Sequence, residues 1–192
     1  MDKAELEQLE QAFEGAHGLV LIHPDHVLGP YTGHIQHCIF PNLGVYIENL
    51  TIATEIAKSK ALPILYETSF TYPDKLPSRL TSEWSEVQTR YYPEFILELL
   101  GQGREIPSSE INAVVGGIYH SACVAMFAQS VFSNVVGLPD QYAKPHSKSV
   151  VLGNEARIVK SLCRWSRKAT PEEIKTHSTY HPIERLFLGA LK

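Results

Sequence analysis

Apolar residues along the chain fall into two alternating kinds of run. Leu6, Leu9 and Phe13 recur on one side of the acidic segment 2–13, the spacing of an amphipathic helix. GLVLIH (18–23) is instead a continuous apolar run ended by Pro24, as in a strand buried on both faces. Leu43, Tyr46, Ile47, Leu50, Ala53 and Ala57 return to helical spacing. ALPILYE (61–67) predicts a second strand, with Pro63 near its start, where a missing donor is best tolerated. A short helix is expected over 92–100, stopped by GQG at 101–103. INAVVGGI (111–118) is the most hydrophobic predicted strand.

Val124, Phe127, Ala128, Val131, Phe132 and Val135 give the following segment a helical apolar side. KSVVLGN (148–154) reads as a fourth strand. Thr170, Pro171 and Glu173 form a capping box, and Ile183, Leu186, Phe187 and Leu191 supply the apolar side of a final helix. Strands alternating with helices imply a three-layer α/β/α fold around a mainly parallel sheet. The polar segment 69–90 shows no period and reads as a surface excursion.

Length and composition narrow this picture. A chain of 192 residues with 44% hydrophobic and 20% charged residues suits one domain with a sizeable core. Seventeen basic against 21 acidic residues leave a formal charge of −4, which gives no reason to expect nucleic acid or an anionic membrane as partner. The apolar runs are too short to cross a bilayer, and the acidic amphipathic start does not have the shape of a signal peptide. Three widely spaced cysteines fit a reducing compartment, so a cytoplasmic location is expected. The segment EARIVKSLCRWSRKA (155–169) is basic and amphipathic. It reads as the solvated face of a helix, with an anionic partner as the alternative.

Candidate chemistry follows from where the strands end. In an open parallel sheet, ligands gather outside the carboxyl ends of the strands. His23, Asp25 and His26 follow the first strand; Glu67, Thr68 and Ser69 follow the second; Tyr119, His120 and Cys123 follow the third. Cys123 falls in the first turn of the next helix, whose free N–H groups and positive dipole end favour a negative sulfur and suit an oxyanion. A free cysteine can equally be a small packed core residue. His34, His37 and Cys38 lie close together downstream of His23 and His26. Their spacing does not match common zinc pairs, so no metal is assigned. Trp84, Tyr91, Tyr92 and Phe95 suit either a pocket wall or core packing. No glycine-rich nucleotide fingerprint follows any strand, and no cofactor is expected.

The segment AVVGGIYHSACV (113–124) resembles the V-x-G-V-x-T-x-x-C-V motif of the isochorismatase-like cysteine hydrolases. Gly117 stands at the family glycine and Cys123 at the nucleophile. GLVLIHPDH (18–26) is similar to the family's first motif, L-L-V-I-D-x-Q. RYYPEFILELL (90–100) is similar to the stretch around its lysine. The likeness spans 18–136 in the family's order. Two positions depart from the pattern: His23, with Asp25 two residues on, stands where the family has aspartate, and Arg90 is nearest the lysine.

The resemblance implies a single isochorismatase-like domain over 1–192, with 157–192 as a C-terminal helical extension, and a homo-oligomer. It implies hydrolysis of an amide or carbamoyl C–N bond in a small molecule. Cys123 would be the nucleophile, His23 or Asp25 the base, and Arg90 the positive charge; Tyr119, His120 and Glu67, placed at the rim by the strand ends, would lie toward the substrate. The alternative is an inactive protein of the same fold that serves binding or assembly.

Overall fold

The computed structural model describes residues 1–24, 38–39, 43–67, 78–87, 93–118, 120–138, 152–164 and 167–168. Helix α1 (Lys3–Ala12) begins at a reciprocal cap. The Glu5 N–H donates to Asp2 Oδ1 (2.8 Å), and the Asp2 N–H donates to Glu5 Oε2 (3.0 Å). Strand β1 (Leu19–Ile22), the two-residue β2 (Cys38–Ile39) and helix α2 (Leu43–Ser59) follow. Next come β3 (Ile64–Glu67), the single-turn α3 (Ser78–Thr81) and β4 (Ser85–Glu86). Helix α4 (Pro93–Gly101) opens on proline, whose missing N–H costs nothing in a first turn. Strand β5 (Asn112–Ile118), a π-helical turn (His120–Val124) and α5 (Ala125–Val131) run on without a break into β6 (Phe132–Val136). Strands β7 (Gly153–Arg164) and β8 (Arg167–Lys168) complete the described chain.

Six strands form one sheet in the order β4-β3-β1-β5-β7-β6, with every neighbouring pair parallel. β2 and β8 form a separate antiparallel ribbon. Successive strand residues face opposite sides, so the apolar runs supply two cores at once. Leu19, Leu21, Ile64 and Val114 pack with Leu9 of α1, with its C-cap Phe13, and with Ile47, Leu50 and Ala53 of α2. Val20, Ile22, Leu65 and Val115 pack with Ile96, Leu97 and Leu100 of α4 and with Phe127, Ala128 and Val131 of α5. Each fully buried Leu, Ile or Phe contributes roughly 1.5–3 kcal/mol of transfer free energy, so both helical layers are held mainly by this burial. The result is the expected three-layer α/β fold with a parallel sheet.

Four sequence expectations change. The apolar side over 124–135 is not one helix, because α5 ends at Val131 and Phe132 begins β6. The strand expected at 148–154 starts at Gly153 and runs twelve residues to Arg164. The start of the expected helical extension, 157–164, is therefore a strand of the main sheet. Residues 169–192, with the Thr170 capping box and the last apolar helix, lie outside the described residues. Finally, the surface excursion at 69–90 contains α3 and edge strand β4, and it buries Leu80 and Trp84 in the core.

Candidate active site

From β1 the chain proceeds to β3 and β4 on one side, then returns through α4 to place β5 on the other side. The gap between β1 and β5 is thus the topological switch point, where the helices leave the sheet in opposite directions and open a crevice. The register sets Ile22, the last residue of β1, opposite Gly117 near the end of β5. His23 and the turn carrying Cys123 follow directly on these two strands. The expectation that the first and third strands run side by side therefore holds.

The backbone at this rim is irregular on both strands. His23 has a φ of 47°, a left-handed conformation that costs a non-glycine residue on the order of 1 kcal/mol. The fold holds it there. His23 is 2% exposed, and its N–H donates to the Glu67 carbonyl oxygen at 2.7 Å. Gly117 has a φ of 121°, and a Cβ there would overlap the carbonyl oxygen of Ile22. At Gly116 a Cβ would stand 2.7 Å from Leu162 Cβ. The glycine pair lets β1 and β7 close on β5 from both sides.

Strand β7 carries the largest irregularity. Val115 pairs with Ile158 but Gly117 pairs with Cys163, so Gly116 alone faces residues 159–162. The three extra residues invert the alternation of β7. Ala156 and Ile158 face α4 and α5, Leu162 faces α2, and Cys163 faces α5 again. Asn49 of α2 supports the bulge by donating from Nδ2 to the Ser161 carbonyl oxygen at 2.8 Å. Asn49 Oδ1 and Ser161 Oγ are buried there without a hydrogen-bond partner. Such groups cost roughly 1–3 kcal/mol each. The polar Asn49 on an otherwise apolar helix face was the sequence signal for this contact.

Cys123 sits in the π-helical turn that opens α5, half-buried, with its apolar side against the core of the α4–α5 face. Single π turns recur at functional sites because they redirect a side chain within a helix. His120, 1% exposed, opens the same turn. Its Nε2 lies 3.2 Å from the Gly137 carbonyl oxygen, which only accepts, so the ring proton is on Nε2. Burial lowers the His120 pKa below its ordinary value, the bond to Gly137 opposes this, and the charge of Lys160 adds to the lowering. Cys163 differs sharply from Cys123. It is buried, and desolvation pushes its thiol far above the usual range despite a hydrogen bond with the Gly117 backbone.

Of the remaining candidates, Glu67 is buried at the end of β3, beside His23 through its carbonyl. Trp84 belongs to the core. It stacks at a tilt on Tyr66 (5.6 Å between centroids) and donates to Thr54 Oγ1 at 3.2 Å. Phe95 is 47% exposed on α4. Asp25, His26, His34, His37, Arg90, Tyr91, Tyr92 and Tyr119 lie outside the described residues. Among the described residues, no three His, Cys, Asp or Glu side chains come together as a metal site. None of the described helices is long and apolar enough to cross a membrane. Comparison with protein-family models, curated proteins and solved structures gives no match.

Proposed function

We propose that the β1/β5 switch point is the active site of a cysteine hydrolase that cleaves an amide or carbamoyl C–N bond in a small molecule. The observation that carries this reading is the half-buried Cys123, set in a π turn that follows β5 at the carboxyl rim, where the neighbouring strand β1 ends in the strained His23. The isochorismatase-like resemblance, carried by the Cys123 segment and the order of the strands, points the same way. In this reading the Cys123 thiol gives its proton to His23, and the sulfur attacks the carbonyl carbon. The tetrahedral oxyanion is met by N–H groups of the turn. The C–N bond breaks as the leaving nitrogen takes back the proton, and water then hydrolyses the thioester. Asp25 orients His23 and Arg90 supplies fixed positive charge, a rearrangement of the family's aspartate and lysine roles.

The test is ammonia or amine release from a panel of small amides and carbamoyl compounds, with intact-mass detection of an acyl adduct on Cys123. Release that disappears in Cys123→Ala supports the reading, and release that persists in Cys123→Ala rejects it. One observation favours a second reading, a binding or assembly protein without turnover: the apolar packing around Cys123 is also what a structural cysteine shows. A panel with no release and no adduct selects that second reading.

A further inference from the structure

We propose that the bulge of β7 is a buried binding site for one neutral, water-sized molecule, held between Asn49 Oδ1 and Ser161 Oγ. The site is independent of the hydrolase reading. Asn49 is 5% exposed on α2, and both oxygens are buried without a hydrogen-bond partner. Turning the carboxamide over does not relieve this. The Ser161 carbonyl oxygen only accepts, so the Asn49 Nδ2 that donates to it at 2.8 Å is fixed there, and Oδ1 faces elsewhere. Two orphaned oxygens thus lie on residues that already touch. In protein interiors such groups are satisfied by ordered water, each molecule typically making about three hydrogen bonds.

Local structure explains why the site is here. Val115 pairs with Ile158 and Gly117 with Cys163, so residues 159–162 leave the ladder. Bulged residues free backbone groups from strand pairing, which gives a bound molecule its third partner. Chemistry narrows the ligand. Asn49 Oδ1 accepts and never donates, so the ligand carries an N–H or O–H, and a carboxylate or phosphate is repelled. Leu50 and Ala53 of α2 and Leu162 of β7 belong to the apolar core of this face, and neither Asn49 nor Ser161 is charged. A cation would give up its hydration for two neutral oxygens, a losing exchange in such surroundings. Water both donates and accepts, which serves Oδ1 and the hydroxyl together. The site also has a mechanical consequence. Leu162, the next residue, stands against Gly116, and Cys163 lies opposite Gly117. Holding Ser161 to α2 through both its carbonyl and its hydroxyl sets where β7 rejoins β5, on the flank of the switch point.

The test is oxygen-17 relaxation dispersion of the full chain, which detects water held longer than the protein's tumbling time. Ser161→Ala removes one of the two oxygens with little change of shape. It should reduce the dispersion by the share of about one long-lived water. It should also lower the thermal midpoint by about 2–4 °C, the shift of one lost hydrogen bond at this chain length. Ser130→Ala is the control, because that hydroxyl already donates to the Phe127 carbonyl oxygen at 2.8 Å, and it should leave the dispersion unchanged. An orphaned hydroxyl without a ligand behaves in the opposite way, since deleting it removes a burial penalty and leaves stability equal or higher. Equal dispersion in wild type and Ser161→Ala, an equal reduction in Ser130→Ala, or an unchanged or raised midpoint in Ser161→Ala would overturn the site.

Discussion

Gly117 stands opposite Ile22 across the β1–β5 ladder, with no room for a side chain between its Cα and the Ile22 carbonyl oxygen. Its φ of 121° is also one that side chains avoid. Both facts concern the same point, the closest approach of the two strands that define the switch point. Gly117→Ala should therefore cost about 2–4 kcal/mol, through strain and a forced opening of the ladder. Urea denaturation measures the loss. A change under about 0.5 kcal/mol, the size of an ordinary surface substitution, would show that the strands do not meet this closely.

The amino end of β7 is fastened to α1 by Arg157. Its guanidinium donates to Glu155 and to the carbonyl oxygens of Ala12 and Glu14, which caps the carboxyl end of the helix. Arg157→Met keeps the apolar stem and removes those bonds. The expected destabilisation is about 1–3 kcal/mol, with amide-exchange protection falling first in α1. Unchanged exchange in α1 would contradict the clamp.

His120 ties stability to pH. Its folded pKa lies below the ordinary value of 6.5, chiefly through burial, so the unfolded chain binds a proton that the folded chain resists. The neutral ring's advantage is intact above pH 6.5 and is lost as pH falls below it toward the folded pKa. His17, whose pKa is also lowered by burial and by Arg104, acts in the same direction. His120→Gln should flatten the fall in stability as pH drops below 6.5 while leaving the His17 contribution. Thermal melts across that range provide the check, and parallel wild-type and variant profiles would refute the assignment.

Strands buried on both faces were legible as unbroken apolar runs. GLVLIH, ALPILYE and INAVVGGI became β1, β3 and β5 within three residues of their expected bounds. The place of His23, Glu67 and the Cys123 turn at the carboxyl rim was legible for the same reason, since the residues that end or follow those runs must sit at the sheet edge. The reading failed where strand and helix spacing coincide. Phe132 and Val135 continue the three- and four-residue spacing of α5, yet they lie on β6, where Ser133 and Asn134 are exposed. On β7 the bulge inserts three residues between Ile158 and Cys163, which breaks the period of two and leaves Arg157, Lys160 and Arg164 at helical intervals. A pairing irregularity of that kind is set by Gly116, Leu162 and Asn49 across the sheet and helix layers, and no local pattern records it.

The account stands on a reactive thiol at the switch point, and alkylation kinetics address this directly. Folded protein is treated with iodoacetamide at neutral pH, and the rate at each cysteine is read by peptide mass spectrometry. Cys123 is predicted to react faster in the folded chain than in the same chain unfolded in urea, while buried Cys163 stays unmodified until unfolding. Labelling of Cys123 at or below its unfolded rate would contradict a nucleophile at this rim.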